Sequence, residues 1–157
     1  MRVTHIITRL IVGGAQENTV ATVLGLRQKP GIAVGLISGP TAGPEGSLES
    51  EFTPAPDILT RVPELVRPVH PWKDWRALRR LTEILRRTGP DIVHTHSGKA
   101  GVLGRLAAKR AGIPLIIHTV HGPSFGNFQN AAANFVFRAA DNQPGNDVGD
   151  AHWRVSG

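Results

Sequence analysis

The chain has 157 residues, 40% hydrophobic and 19% charged, which describes one folded domain with a real core and little room for a second. Cysteine is absent, which excludes a disulfide framework, a thiol nucleophile and any cysteine-ligated zinc, and suits a reducing cytosol. The net charge of +6 gathers between Arg61 and Arg110, and such a surface attracts phosphates of nucleic acid, anionic lipid or nucleotide sugar, although solvated helix faces have the same composition.

Met1-Arg2 ahead of Val3-Thr4-His5-Ile6-Ile7 superficially opens like a signal peptide. His5, Thr8 and Arg9 interrupt the run and no small-residue cleavage site follows, so Val3 to Thr8 is expected to be a buried strand. Nowhere do about 18 apolar residues run together, so no membrane span is expected. Ile11-Val12-Gly13-Gly14 then opens a helix from about Ala15 to Gln28, with Val20, Ala21, Val23 and Leu24 as its apolar face. Lys29-Pro30-Gly31 stops it, and Ile32 to Ser38 is apolar enough for a strand covered on both faces.

Gly39 to Pro56 has no period and predicts a mobile excursion with at most a helical turn around Leu48. Ile58 to Val62 and Leu65 to Val69 offer one short strand between prolines. Trp72 to Thr88 is an amphipathic helix, with Trp75, Leu78, Leu81 and Leu85 on one side and arginines on much of the other. Asp91 to Thr95 is a strand, and Ser97-Gly98 a turn. A helix follows from about Lys99 to Ala111 with Val102, Leu103, Leu106 and Ala107 inward, then an apolar strand from Leu115 to Val120. Beyond Ala140 the pattern is abandoned, so residues 141–157 are expected to be an irregular, disordered tail.

This order predicts an α/β fold: a parallel, Rossmann-like sheet with right-handed crossovers and helices on both faces. Ligands in such sheets sit beyond the carboxyl ends of the strands. Three of those ends are polar or glycine-rich here: Thr8 to Ala15, Thr95 to Lys99 and Thr119 to Gly126.

Gly13-Gly14-Ala15-Gln16 joins the first strand to the first helix, where two glycines allow close backbone approach and a helix N-terminus favours an anion. A tight β-to-α turn would use the same residues, and no G-x-G-x-x-G fingerprint is present. Gly98-Lys99 fails as a nucleotide phosphate loop, because Val93 and Ala100 stand where that motif needs glycine and a hydroxyl. Four of the histidines fall in two pairs, His94-x-His96 and His118-x-x-His121. Alternate strand residues share a face, so a metal-dependent hydrolase using His94, His96, His118 and His121 is the enzyme alternative. Against it, only Asp91 offers a nearby carboxylate, and histidines at strand ends are commonly hydrogen-bonded structural residues. A basic module binding nucleic acid or anionic lipid is the other alternative, without a nucleic-acid motif to support it. His121-Gly122 follows the last strand, where an imidazole could bond a sugar hydroxyl, with the amides of Asn127, Gln129 and Asn130 nearby.

Taken in order, four segments resemble the N-terminal domain of family-four glycosyltransferases of the GT-B type. They are Thr8-Arg9-Leu10 through Gln16, Pro90 through Ser97, Lys99 through Ala108, and His118 through Gly122. The resemblance covers roughly residues 1–140 and implies the acceptor-side half of a retaining enzyme with two facing Rossmann-like domains. It implies His121 as the active-site histidine contacting the transferred sugar. Gly13, Gly14 and Gln16 would meet donor phosphates or acceptor, His96, Ser97 and Lys99 would line the acceptor side, and Gly122 would allow close approach. The donor would be a nucleotide-diphosphate sugar and the acceptor a glycan, a lipid-linked sugar or a small molecule. No metal, cofactor or nucleic acid is implied, and the location would be cytoplasmic, at the membrane face. The family's nucleotide-gripping second domain, with its spaced glutamates, has no counterpart here. A chain truncated or frameshifted near residue 140, and inactive alone, is therefore expected.

Overall fold

Five of the six residues of the first strand, β1 (Arg2–Ile7), are buried, and this strand becomes the centre of the sheet. The computed structural model describes residues 1–120. After β1 come α1 (Gly14–Arg27), β2 (Ala33–Ser38), a single 3-10 turn (Glu49–Phe52) and β3 (Leu59–Arg61). Then follow α2 (Pro71–Thr88), β4 (Ile92–His96), α3 (Gly98–Ala111) and β5 (Leu115–Thr119). All neighbouring strands are parallel, in the order β3-β2-β1-β4-β5. The anticipated Rossmann-like α/β architecture is therefore present. Its strand order reverses between β1 and β4, the place where such sheets open a crevice.

The two faces carry separate cores. Ile7, Leu10 and Leu36 pack with Val20 and Val23 of α1. Ile6, Ile37 and Val93 pack with Ala77, Leu81, Ile84 and Leu85 of α2 and Ala100, Ala107 and Ala108 of α3. Helices α2 and α3 end on Gly89 and Gly112, both in the left-handed conformation that glycine adopts without a Cβ clash.

Three expectations need correction. The stretch from Gly39 to Pro56 is anchored: Leu48 N donates to Leu10 O at 2.7 Å, Ile11 bridges Ser47, and Phe52 and Ala55 are fully buried. Leu65 to Val69 is not a strand, and β3 has only three residues. The inward faces of the helices also differ. Ala77 and Ile84 point inward on α2 while Trp75 is exposed, and Ala21 of α1 is exposed where Thr19 is buried.

In α3 the small residues Ala100, Gly101, Gly104, Ala107 and Ala108 face the sheet, while Leu106 is exposed. The reason is close approach. A Cβ on Gly104 would lie 2.7 Å from Thr95 Cγ2, and one on Gly101 would lie 2.4 Å from His118 Cε1. Large side chains cannot fit at these closest points, so Leu106 turns outward and Leu103 packs only at the margin of the core. On the outermost described strand, Leu115 and Ile117 remain exposed. No described helix is long and apolar enough to cross a membrane.

Candidate functional site

The carboxyl ends of β1 and β4 lie side by side, with Ile6 opposite Thr95 in the register. From β1 the chain runs on to Gly13-Gly14, and from β4 it turns at once through Ser97 into α3. Thr8 Oγ1 accepts from Ala100 N at 3.2 Å, tying the exit of β1 to the first turn of α3. Two helix N-termini are thus gathered at the sheet's reversal point, a natural place for an anion. Neither α1 nor α3 carries a side-chain cap at its N-cap residue, whereas α2 is capped by His70 Nδ1 accepting from Lys73 N.

Gly13 is partly buried and Gly14 is exposed. A Cβ at Gly14 would meet nothing within 4 Å, and one at Gly13 would meet only the end of the Gln16 side chain. The fold itself does not require glycine at position 14, which leaves room above the α1 N-terminus for a ligand.

Ser97 has φ 58° and ψ 169°, and it is the only non-glycine residue with positive φ among the described residues. That region suits glycine, and a side chain there costs about 1–3 kcal/mol. The conformation is held because Ser97 Oγ donates to His96 O at 2.7 Å and Ser97 O accepts from Gly101 N at 2.7 Å. Strain of this kind collects where a fold must aim backbone groups at a ligand.

Lys99 is buried, and its ammonium is bonded to groups in and just before α2. It donates to Asp74 Oδ1 at 2.5 Å and to the carbonyl of Pro68. The family resemblance implies an acceptor-side role for Lys99, and in the structure its charge is paired with Asp74 of α2.

His96 is 2% exposed and its ring stacks on that of buried His5, with the half-buried His94 ring tilted against both. His5 Nδ1 lies 3.0 Å from His96 Nε2, and His94 Nε2 lies 2.7 Å from Thr119 Oγ1. Burial and the neighbouring His94 lower the pKa of His5 to about 4. His5 Nε2 has no hydrogen-bond partner among the described residues. An orphaned lone pair costs less than an orphaned N–H. The network therefore assigns the proton to His5 Nδ1, which donates to His96 Nε2.

The sequence-based hydrolase set of four histidines is not assembled. His118 sits opposite Thr95, bonds it at 2.9 Å and faces α3, across the sheet from His94 and His96. His5 takes its place, presenting nitrogens within 4.8 Å of His94 and His96. These three imidazoles could hold a metal ion, but His5 and His96 are almost fully buried and no carboxylate among the described residues belongs to the cluster. A dication there would lack compensating charge. Sequence reading missed His5 because only the register, His5 opposite His94, reveals it. His121 and Gly122 lie outside the described residues, as do the amides that follow them, the boundary at residue 140 and the tail 141–157.

Comparison with known proteins gives a family from the sequence and a fold from the structure. A family model described as Glycosyltransferase Family 4 matches residues 12–144. An Escherichia coli UDP-Gal:alpha-D-GlcNAc-diphosphoundecaprenol alpha-1,3-galactosyltransferase is 43% identical over 77 residues, which are 49% of this chain and 20% of that protein. Among solved structures, Anabaena Alr3699/HepE in complex with UDP and glucose aligns with TM-score 0.63 at 15% identity, over 90% of this chain and 35% of the other. The Neisseria meningitidis UDP-GlcNAc 2-epimerase bound to UDP-GlcNAc aligns with TM-score 0.61 at 16% identity, over 90% and 38%. At such identities the solved structures speak for the fold alone. The chain spans about a fifth of the curated relative's length.

Proposed function

Because the chain belongs to Glycosyltransferase Family 4, we propose that it supplies the acceptor-side, Rossmann-like half of a retaining glycosyltransferase. That enzyme moves a sugar from a nucleotide-diphosphate sugar to a glycan, lipid-linked or small-molecule acceptor. The observation that carries the reading is the pairing of two helix N-termini, α1 behind Gly13-Gly14 and α3 behind Ser97, at the point where the strand order reverses. The relative's own substrates, UDP-Gal and a GlcNAc-diphosphoundecaprenol, favour a UDP-sugar donor and a lipid-diphosphate acceptor within that class. Both bring diphosphates to the site. The split histidine set argues against the hydrolase alternative.

The roles follow from position. Gly14, and Gly13 with Gln16 beside it, let backbone N–H groups reach a phosphate or a sugar hydroxyl. Ser97 aims the start of α3 at the acceptor, and His96 fixes the floor of the crevice through its bond with His5. Lys99 acts at one remove, as a positioning residue that ties α3 to α2 through Asp74. His121 and Gly122 remain assigned to the transferred sugar on the strength of the family motif. No cofactor or metal is invoked, and the site of action is the cytoplasmic membrane face. Leaving-group stabilisation by a nucleotide-binding half is normally a large share of catalysis, so turnover is assigned to the two halves together.

The test is transfer of labelled sugar from UDP-sugars to a short-chain GlcNAc-diphosphate lipid. It compares the 157-residue chain with a fusion of residues 1–140 to the nucleotide-binding domain of a family-four galactosyltransferase. The fusion should turn over and the chain alone should not. Robust turnover by the chain alone would overturn the two-half reading, and an inactive fusion that binds UDP but not the acceptor would overturn the acceptor-side assignment.

A further inference from the structure

Two cations stand where the chain leaves β1 and β4: Arg9, two residues past β1, and Lys99, in the first turn of α3. Lys99 is already engaged, by Asp74 Oδ1 at 2.5 Å and by the carbonyl of Pro68. Arg9 is not. Its side chain is only 19% exposed, and its ion-pair partner, Glu45 Oε1, lies 3.8 Å from Nη2, beyond hydrogen-bond reach. No described residue accepts a hydrogen bond from its guanidinium. A guanidinium so far removed from water has five donors to satisfy, and burial penalises its charge until an anion meets them.

Glu45 is poorly placed to be that anion. It is 41% exposed and sits in a turn between two anchors of the excursion after β2. On one side Leu10 N donates to Thr41 Oγ1 at 3.1 Å; on the other Leu48 N donates to Leu10 O at 2.7 Å and Ile11 bridges Ser47. A fully formed pair lies close by in sequence, where Arg61 donates to Glu49 Oε2 through Nε at 2.9 Å and Nη2 at 2.5 Å. The Glu45 turn also borders the glycine loop. A Cβ on Gly46 would lie 3.2 Å from Val12 Cγ2, in the residue just before Gly13-Gly14.

We propose that Arg9 is the diphosphate-binding cation of the crevice, and that Glu45 competes with the diphosphate for it. The naming of the ligand rests on the nucleotide-sugar transferase reading; the need for an anion rests on Arg9 itself. A diphosphate offers oxygens on both phosphates and more than one negative charge, so it takes parallel N–H···O bonds from the guanidinium fork. Glu45 offers one charge, without a hydrogen bond and screened by solvent. Two anions facing one guanidinium repel each other, so the diphosphate displaces Glu45. The anchors at Thr41 and Leu48 stay in place while the turn between them moves, and Gly43 and Gly46, both at positive φ, give it the freedom to do so. Donor and acceptor of the proposed reaction both carry a diphosphate, and the probes below separate them.

The experiment is isothermal titration of the full chain with inorganic pyrophosphate, UDP and geranyl diphosphate. Arg9→Met should weaken pyrophosphate binding by about tenfold or more, and Arg9→Lys should restore only part of it, since the charge stays and the fork is lost. Glu45→Gln, at an exposed side chain, should tighten binding by about threefold to tenfold, and the gain should vanish in the Arg9→Met background. Arg110→Met removes the same charge from the last turn of α3, at the opposite edge of the sheet, and should change nothing. Loss confined to UDP supports Arg9 as the donor's contact, and loss confined to geranyl diphosphate supports it as the acceptor's. Equal binding by wild type and Arg9→Met would overturn the proposal. So would an equal loss in Arg110→Met, or a Glu45→Gln gain that survives Arg9→Met. Should Arg9→Met melt early, Glu45→Gln decides alone: no gain in affinity overturns the proposal. The expected affinities with an inactive fusion enzyme would sink the transferase reading alone.

Discussion

Lys99 and Asp74, 25 residues apart, meet at 2.5 Å with side chains only 6% and 18% exposed, joining the first turn of α3 to the first turn of α2. Asp74 also accepts from His70 N at 3.1 Å, so the pair closes the entry to α2 as well. Lys99→Met keeps the buried stem and strands the carboxylate. It should cost about 2–4 kcal/mol of folding stability. A double-mutant cycle with Asp74→Asn, followed by urea denaturation, should give a coupling of about 1–3 kcal/mol; additive single effects would show that the contact contributes nothing.

The close approach of α3 predicts opposite outcomes for one substitution at two glycines. Gly104→Ala pushes a methyl to 2.7 Å from Thr95 Cγ2 and 3.3 Å from Ile6 Cδ1. It should lose about 1–3 kcal/mol despite better helix propensity. Gly25→Ala, in α1 with nothing within 4 Å, should gain up to about 1 kcal/mol. Thermal melts of the two variants make the comparison, and a stabilised Gly104→Ala would contradict the packing described.

His5 makes the fold sensitive to acid. Its pKa is about 4 in the folded chain against an ordinary value of 6.5, so the unfolded chain binds the proton first. The stability tied to His5 is complete above about pH 6.5. It falls as the pH drops toward 4, by about 2–4 kcal/mol in all. Urea midpoints from pH 7 to pH 4.5 should show this loss, and His5→Asn should flatten part of it. Parallel curves for the two proteins would refute the assignment.

Gly14 separates a ligand contact from a mere turn. With no atom near its missing Cβ, Gly14→Ala should leave the melting temperature nearly unchanged. In the two-half enzyme it should weaken donor or acceptor binding by about tenfold, roughly 1.4 kcal/mol. Unaltered kinetics would reduce Gly13-Gly14 to a connector.

Ser97 stores strain that a glycine would release. Ser97→Gly should stabilise the fold by up to about 1 kcal/mol while raising the KM for acceptor, because the hydroxyl-held backbone loosens. Differential scanning calorimetry and acceptor titration together check it; a destabilised variant would mean that the Ser97 hydroxyl bond outweighs the strain.

The order and type of the main described strands and helices were legible because most are bounded by glycine or proline, whereas Leu65 to Val69 forms no strand. Periodicity was less reliable about which side faces in. In α3 the large residues looked inward, but sheet contact is made by Gly101 and Gly104, whose lack of side chain carries no hydrophobic signal. In α2 the Trp75 phase competed with the true inward phase of Ala77 and Ile84. That the Gly13-Gly14 and Ser97 loops come to one edge of the sheet was legible because loops after parallel strands converge by topology. The commitment of Lys99 to Asp74 and of His5 to His96 was not, since each joins distant segments and depends on register rather than on local pattern.

The strand order has a consequence for how the protein is made. β2 is laid beside β1, β3 beside β2, β4 back beside β1 and β5 beside β4, so each described strand after β1 finds a neighbour already synthesised. Only β1 waits, for β2 on one edge and for β4 on the other, which limits the exposed edges from which nascent chains aggregate. The crevice is the exception to this inside-out growth. Its first wall, after β1, is made before β4 and has no opposite wall until β4 emerges, so ligand-binding competence waits for β4.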